Sequence, residues 1–268
     1  MGTIALSGLF VYPLKSARGV ALDVAVVVAR GLEGDRRWMV VDRDGEFISQ
    51  RTHPRLALVS ALLEGGRLAL AAPGAPTLVV DPPSVDEPSV RVRVWDDVCD
   101  ALPAGPEPAR WLSARLGIAC ELVFLPDGSH RPVAPASGVT AAEVSFADAY
   151  PFLLISEASL EDLNRRLASP VPMDRFRPNL VVRGCEPYAE DGWRRIRVGP
   201  VAFRVVKPCS RCGTIVVDQT TGVRGREPLA TLATYRRVGS EVMFGQNLVH
   251  EGTGPLHLGD EVTVLEPR

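Results

Sequence analysis

Short runs in which apolar and polar residues alternate dominate the first half of the chain. Gly, Pro and Asp separate these runs, a pattern typical of short β-strands joined by tight turns. The strands are predicted at residues 4–12, 21–28, 37–41, 56–63, 67–71 and 90–94. Glu64–Arg67 and the Asp44-Gly45 pair predict two hairpin turns between neighbouring strands. Repeated short strands of this kind predict a barrel or a sandwich.

Helical periodicity is less frequent and predicts three helices. The first spans residues 106–116, with proline at its start and Gly117 as its stop. The second spans 156–167, where Ser156 can cap the first turn and leucines share one face. The third begins at Glu227-Pro228, with the proline at the first helical position. The predicted fold class is therefore mainly β with a few helices (α+β).

Composition favours a globular protein of a reducing compartment. The 268 residues are 46% hydrophobic with a net charge of −2, which supports a core and gives no general attraction to nucleic acid or anionic membranes. Five cysteines at irregular positions argue against a secreted disulfide framework. The start of the chain has no signal-peptide pattern, and no apolar run approaches the ~20 residues of a membrane span. We expect a cytoplasmic protein that binds neither nucleic acid nor membrane.

A change of composition divides the chain into two predicted domains. Residues 126–145 are rich in Pro, Gly, Ala and Ser, including Pro135 and Gly138. Such a stretch is typical of a linker or a surface loop. The predicted domains are therefore residues 1–125 and 126–268.

The pair Cys209 and Cys212 is the strongest chemical signal in the sequence. Lys207 and Arg211 flank it, and nearby positive charge favours the thiolate, the form that binds metal or attacks. A structural zinc site would need two further ligands, and the histidines show no zinc-ligand spacing. A thioredoxin-like motif would open a helix, but residues 213–218 predict a strand. Both cysteines could also be small core residues. The spacing alone leaves these alternatives open.

Three short segments with basic side chains lie next to predicted strands or turns. Lys15 and Ser16 follow the first strand, Arg36 stands where another begins, and Arg177 and Asn179 flank Pro178 in the second half. Arginine and lysine bind phosphate through charge-assisted hydrogen bonds. If these segments converge, they could hold a phosphorylated cofactor. Each segment alone fits an ordinary solvated surface better than a binding site.

Several ordered motifs together resemble one family. The chain resembles the MOSC proteins, named after the C-terminal domain of molybdenum cofactor sulfurase, and within them the mitochondrial amidoxime-reducing components and their bacterial relatives. The resemblance spans nearly the whole chain. It is carried by YPLKS at 12–16, GDRRW at 34–38, YPFLLISEASLEDLN at 150–164, FRPN at 176–179, CSRC at 209–212, EPL at 227–229 and FGQN at 244–247.

The resemblance implies a fold, a cofactor and a set of contacts. The fold would be an N-terminal β-barrel-like domain packed on a MOSC β-barrel domain, with the molybdenum cofactor, molybdopterin with molybdenum, at their junction. Cys212 would be the metal ligand and catalytic residue, and Cys209 only its neighbour. The cofactor-binding residues would be Lys15, Ser16 and Arg36 at the phosphate, Arg177 and Asn179 at the pterin or phosphate, Asp148 and Tyr150 along the cofactor, and Arg211 orienting the site or favouring the Cys212 thiolate.

The resemblance also implies a reaction. The protein would be a molybdenum-dependent oxidoreductase that reduces small N-hydroxylated compounds of the amidoxime or hydroxylamine type. The sequence has no plant-type [2Fe–2S] cysteine spacing, so a separate electron-transfer protein is expected to deliver the electrons. The alternative is a module that carries molybdenum cofactor or sulfur to a partner without redox turnover of its own.

Overall fold

A computed structural model describes residues 2–133 and 142–268. Met1 and the predicted linker residues Pro135 and Gly138 lie outside the described residues. The helices are α1 (Pro106–Leu116), α2 (Glu157–Arg166) and α3 (Leu229–Tyr235), with 3-10 turns at Pro54–Leu58, Met173–Arg175 and Ala189–Gly192. The strands are β1 (Ala5–Val11), β2 (Val20–Ala21), β3 (Val24–Val28), β4 (Gly31–Leu32), β5 (Trp38–Val41), β6 (Ser60–Glu64), β7 (Arg67–Ala71), β8 (Leu78–Val80), β9 (Val90–Val94), β10 (Asp97–Pro103), β11 (Glu121–Phe124), β12 (Phe152–Ser156), β13 (Leu180–Arg183), β14 (Trp193–Val198), β15 (Val201–Ser210), β16 (Arg237–Val238), β17 (Glu241–His250), β18 (Gly254–His257) and β19 (Val262–Pro267).

The described strands form one large sheet and three small ones. The large sheet runs in the order β19-β14-β15-β17-β12-β13-β1-β2, with β16 paired to β17. The smaller sheets are β5-β11-β10-β9, β18-β3-β4 and β6-β7-β8. The sequence prediction of a mainly β fold with a few helices is confirmed.

The large sheet takes its first strands from the start of the chain. β1 pairs antiparallel with β13, so the first strand lies among strands from the second half. The core of this sheet accordingly combines Leu6 and Val27 with Phe152 and Phe203. A second core contains only residues between Leu14 and Leu122. The division of the chain into 1–125 and 126–268 stays a prediction.

The pairing of three strands brings several chain segments to one edge of this sheet. β12 and β13 pair in parallel, which requires a crossover connection, and α2 supplies it. Since β1 is antiparallel to β13, the end of β1 and the starts of β12 and β13 lie at the same edge. The residues just beyond that edge are 12–16, 146–151 and 176–179. These are the segments in which the sequence predicts cofactor-binding residues.

Two local predictions were wrong. The predicted strand at 56–63 is a 3-10 turn followed by the shorter strand β6. The predicted strand at 213–218 is a series of turns, in which the amide of Val217 donates to the Thr214 carbonyl. Its apolar residues Ile215 and Val216 are buried by this compact turn. A run of three apolar residues does not distinguish a strand from a buried turn.

The predicted helices agree with the observed helices to within one or two residues. α1 has the predicted bounds, and α2 begins after the Ser156 cap. Pro228 is the residue before α3 and not its first residue, so the third helix begins one residue later than predicted. Across the described residues, no helix combines the length and the apolar character needed to cross a membrane.

We predict that Ser156→Ala weakens the crossover that places α2. The Ser156 hydroxyl accepts a hydrogen bond from the Ser159 amide at 3.1 Å, and both residues are buried. Losing an N-cap of this kind costs about 1 kcal/mol of unfolding free energy. Urea denaturation followed by circular dichroism measures the change. Ser89→Ala, at an exposed position, is the control and should stay within about 0.5 kcal/mol. Equal effects of the two substitutions would contradict the capping role.

Candidate functional site

Two arginines from distant parts of the chain meet at one tyrosine ring. The guanidinium carbon of Arg36 lies 4.5 Å from the centroid of the Tyr12 ring, and that of Arg177 lies 4.3 Å from it. Aromatic faces attract cations, and the attraction grows when water is excluded. The Tyr12 ring is 2% exposed, and its hydroxyl donates to the Pro178 carbonyl at 2.9 Å. Burial raises the pKa of Tyr12, so the phenol stays neutral and contributes no counter-charge.

Arg36 has partners within the protein. Its guanidinium forms an ion pair with Asp35 and approaches the amide oxygen of Asn179 at 3.4 Å. Asp35 also accepts the backbone amide of Tyr12 at 2.8 Å. Asn179 is buried, and its amide oxygen accepts the Leu153 backbone amide at 3.3 Å. Asp35 and Asn179 therefore fix the Arg36 side chain across the edge of the large sheet.

Among the described residues no carboxylate pairs directly with Arg177, and those of Asp35 and Asp148 act on it only from a distance. Arg177 Nη1 donates to the Ala17 carbonyl at 2.5 Å, whereas its buried Nη2 has no hydrogen-bond partner among the described residues. Within the same residues it forms no salt bridge, and the whole residue is only 9% exposed. Burial lowers the pKa of Arg177 to about 10, which still leaves it charged at neutral pH. A buried, unpaired cation is costly unless an anion joins it.

Lys15 forms the other cationic part of the site. Its side chain is 5% exposed, and its ammonium donates to the Phe146 carbonyl at 2.6 Å and to Asp148 at 2.5 Å. Burial lowers the pKa of Lys15 to about 8, against the opposing effect of the Asp148 charge. Partial burial opposes ionisation of Asp148, but the Lys15 charge outweighs it and holds the pKa of that carboxyl below its usual range. The Asp148 side chain is 62% exposed, so this pair lies at the open side of the site.

Backbone strain concentrates in the same segments. Ser16, Arg36 and Arg177 have φ values of 65°, 50° and 57°, in the left-handed region that non-glycine residues rarely adopt. Trp95, with φ 59°, also belongs to this group, and its side chain helps to lower the pKa of the Asp148 carboxyl. Each such residue costs on the order of 1 kcal/mol and persists only where the surroundings enforce it. Strain at several predicted binding residues is typical of a preorganised functional site.

A pair of buried glutamines ties the Lys15 segment to the chain that follows Cys212. Gln50 and Gln219 exchange side-chain hydrogen bonds of 3.0 and 2.9 Å. Gln50 also donates to the Ser16 carbonyl at 2.8 Å, and Arg18 donates to the Gln219 carbonyl at 2.6 Å. Through these contacts the Ser16 turn and the turns at 213–219 are held against each other.

Arg211 connects the cysteine pair to the Arg177 turn. Its Nη2 donates to the Phe176 carbonyl at 2.7 Å, next to Arg177. Its Nη1 lies 3.1 Å from the sulfur of Cys209, whereas the Cys212 thiol donates to the Thr214 hydroxyl at 3.3 Å. The guanidinium therefore contacts the other cysteine and not the predicted ligand. Cys212 is a partly exposed residue in the turn after β15.

Tyr150 lies in different surroundings. It is 7% exposed and packs in an apolar cluster with Val133, Val144 and Val249. The ammonium of Lys207 lies 5.6 Å from its ring centroid. Burial raises the pKa of Tyr150, so the phenol is neutral. Of the predicted site residues, Tyr150 has the most apolar environment.

Sequence reasoning missed Tyr12 as a site residue and missed Arg131 altogether. Arg131 is 1% exposed and donates to the carbonyls of Ser145, Ala147 and Asp148 while pairing with Asp97. It therefore fixes the segment that presents Asp148 to Lys15. Arg131 lies in a stretch rich in Pro and Gly that the sequence predicts to be a linker or surface loop. For Tyr12 there was a signal, since it begins the YPLKS motif.

Comparison with known families accounts for this combination of features. The sequence matches the MOSC N-terminal beta barrel domain over residues 3–119 and the MOSC domain over residues 141–263. The chain belongs to the MOSC family. Mitochondrial amidoxime-reducing component 1 of Mus musculus is 37% identical over 99% of this chain and 83% of its own length. For the Homo sapiens protein of that name the identity is 35%, with the same coverage.

A longer relative shares the same MOSC region. Molybdenum cofactor sulfurase of Oryza sativa subsp. japonica is 32% identical over 92% of this MOSC chain and 33% of its own length. Among the described residues, no three His, Cys, Asp or Glu side chains come together as a metal site. The relatives connect this MOSC protein to molybdenum cofactor chemistry.

We predict that Lys15 titrates near pH 8 in the cofactor-free protein. Burial disfavours its charged form, and Asp148 partly offsets that effect. Asp148→Asn should lower the pKa of Lys15 further because it removes the opposing charge. The chain has only two lysines, Lys15 and Lys207, so a ¹³C titration of the lysine Cε resonances with Lys207→Arg as the assignment variant measures it. A Lys15 pKa near its ordinary value of 10.5 would contradict the prediction that burial outweighs the Asp148 charge.

Proposed function

We propose that this MOSC protein is a molybdenum-cofactor-dependent oxidoreductase that reduces small N-hydroxylated compounds. The structural observation that carries the proposal is the buried Nη2 of Arg177, which has no hydrogen-bond partner among the described residues. A second arginine, Arg36, lies over the same tyrosine ring. Such a site fits a phosphate-bearing ligand. The identity to amidoxime-reducing components over 99% of the chain supports the reaction class.

The cationic residues fit the phosphate end of the cofactor. Lys15, Ser16 and Arg36 would hold the phosphate, and Arg177 would direct its unpartnered Nη2 to the phosphate or the pterin. Asn179 would act on Arg36, whose guanidinium it approaches. Asp148 would hold the Lys15 ammonium in place, with Tyr150 lining the cofactor through its apolar surroundings.

Cys212 would supply the protein sulfur for the metal. A thiolate is a soft donor that suits the metal of such a cofactor, and Cys212 is partly exposed. Thr214 would release its hydrogen bond from the thiol when the proton leaves. Arg211 would position the Arg177 turn through the Phe176 carbonyl. When bound, the cofactor would supply two-electron reduction of the N–O group, for which two protons are taken up and the oxygen leaves as water.

The partners follow from this reaction. The substrate would be a small N-oxygenated compound, and the electrons would come from a separate electron-transfer protein. A cytoplasmic location stays a prediction; it is supported by the absence of disulfides among the five cysteines, which are all free.

A carrier function is the alternative, favoured by the identity to molybdenum cofactor sulfurase. In that case the chain would bind cofactor or sulfur for delivery and would show no turnover of its own. The match covers only a third of that relative, whereas it covers most of the amidoxime-reducing components. The reductase is therefore the function that we put forward.

We predict that Cys212→Ala abolishes benzamidoxime reduction with an artificial electron donor, because the metal loses its protein sulfur. Cys209→Ala is the matched control and should retain activity, since its sulfur contacts Arg211 and lies outside the proposed coordination. Product formation measured by chromatography, with molybdenum content measured in parallel, tests both. Loss of activity only in Cys209→Ala would contradict the ligand assignment. Stoichiometric cofactor without turnover in the wild type would support the carrier instead.

A further inference from the structure

A cavity next to Cys212 has chemistry that the proposed cofactor site does not use. Its volume is about 540 Å³, within the usual range for small-molecule pockets. Arg211 and Gly213, the neighbours of Cys212 on either side, both line it. None of Lys15, Arg36 or Arg177 does. Cys212 itself does not line the cavity. A ligand there would therefore lie against the turn that carries the proposed metal ligand and away from the proposed phosphate contacts.

The cavity is strongly cationic. Four arginines line it, Arg211, Arg224, Arg226 and Arg237, against a single carboxylate, Glu241. In the described part of the chain, none of these five side chains takes part in a salt bridge. The guanidinium groups of exposed Arg226 and Arg237 also have no hydrogen-bond partner there. The excess positive charge is available to a ligand.

Arg224 is held directly against the residue that follows Cys212. Its Nη1 donates to the Arg51 carbonyl. A Cβ atom placed on Gly213 would lie 3.0 Å from Arg224 Nη2, closer than side chains normally approach. Glycine at position 213 therefore leaves room for the guanidinium beside the Cys212 turn.

The rest of the lining is apolar. Helix α3 contributes three of the apolar residues, and the turns after Cys212 and strand β17 contribute the others. They are Val216, Leu229, Ala230, Ala233 and Val242. A ligand with a hydrophobic body and an anionic end matches both parts of the lining.

We propose that this cavity is a substrate subsite that selects N-oxygenated compounds carrying a carboxylate. The apolar body of the substrate lies on α3, its carboxylate pairs with Arg226 and Arg237, and its N–O group lies at the end formed by Arg211 and Gly213, next to the Cys212 turn. The inference rests on the proposed reductase function and specifies its substrate class. A docking site for an acidic protein is less favoured because the volume suits a small molecule and apolar side chains form much of the lining.

The test compares two amidoximes that differ only in charge. Para-carboxybenzamidoxime and its neutral para-carbamoyl analogue are reduced by the cofactor-loaded protein with an artificial electron donor. The wild type should prefer the carboxylate by about fivefold in kcat/KM, mainly through KM, as expected for two partly exposed charge pairs. The double variant Arg226→Gln/Arg237→Gln should lose this preference. Glu241→Gln should increase it because it removes the opposing charge.

Arg110→Gln is the matched control, since Arg110 is exposed on α1 and does not line the cavity. It should leave the preference unchanged. No preference in the wild type, or a preference that persists in the double variant, would overturn the subsite. So would a loss of molybdenum from the double variant, which would assign the cavity to the cofactor. A defect confined to turnover with a protein electron donor would assign it to partner docking.

A binding measurement tests substrate selection by the cavity independently of turnover. Calorimetric titration without an electron donor should show tighter binding of para-carboxybenzamidoxime than of the carbamoyl analogue, and the double variant should remove the difference. If the loaded protein reduces neither compound, the proposed function fails, but the titration still decides whether the cavity selects carboxylates. Equal binding of both compounds would overturn the subsite even in an active enzyme.

Discussion

A buried guanidinium with no salt-bridge partner among the described residues is the constraint on which this site depends. Arg177 is held by the Ala17 carbonyl and the face of Tyr12, neither of which is an anion. Its neighbour Arg36 already uses Asp35. Removing a charge from water without pairing it is expensive, so natural proteins keep such groups where a ligand completes them. We propose that the phosphate of a pterin cofactor is the anion that pairs with Arg177.

The fold explains how residues so far apart in sequence meet at this point. The antiparallel pairing of β1 with β13 and the parallel pairing of β12 with β13 bring three loops to one sheet edge. Arg211 then joins the cysteine turn to the Phe176 carbonyl, and the Gln50–Gln219 pair joins the Ser16 turn to the chain after Cys212. The chain segments that carry the proposed sulfur ligand and the proposed phosphate contacts are thus joined by side-chain hydrogen bonds between their neighbouring residues.

Much of the fold could be predicted because its signals are local. The Glu64–Arg67 hairpin, helix α1 and the Ser156 cap each depend on a few adjacent residues. The turns at 213–218 could not be distinguished from a strand, since buried turns and strands share short apolar runs. The family motifs supplied the candidate residues. They could not reveal that Arg211 contacts Cys209 or that Arg131 fixes the Asp148 segment, because those contacts depend on the folded chain.

The most direct test is to remove the Arg177 charge and measure cofactor content and stability together. Arg177→Met should lose pterin and molybdenum, while the thermal stability of the cofactor-free protein should stay the same or rise, because an unpaired buried charge has been removed. Arg194→Met, on the exposed face of β14, is the control and should keep its cofactor. Full cofactor content in Arg177→Met, together with a loss of stability in the cofactor-free protein, would show that Arg177 is structural and would contradict the account.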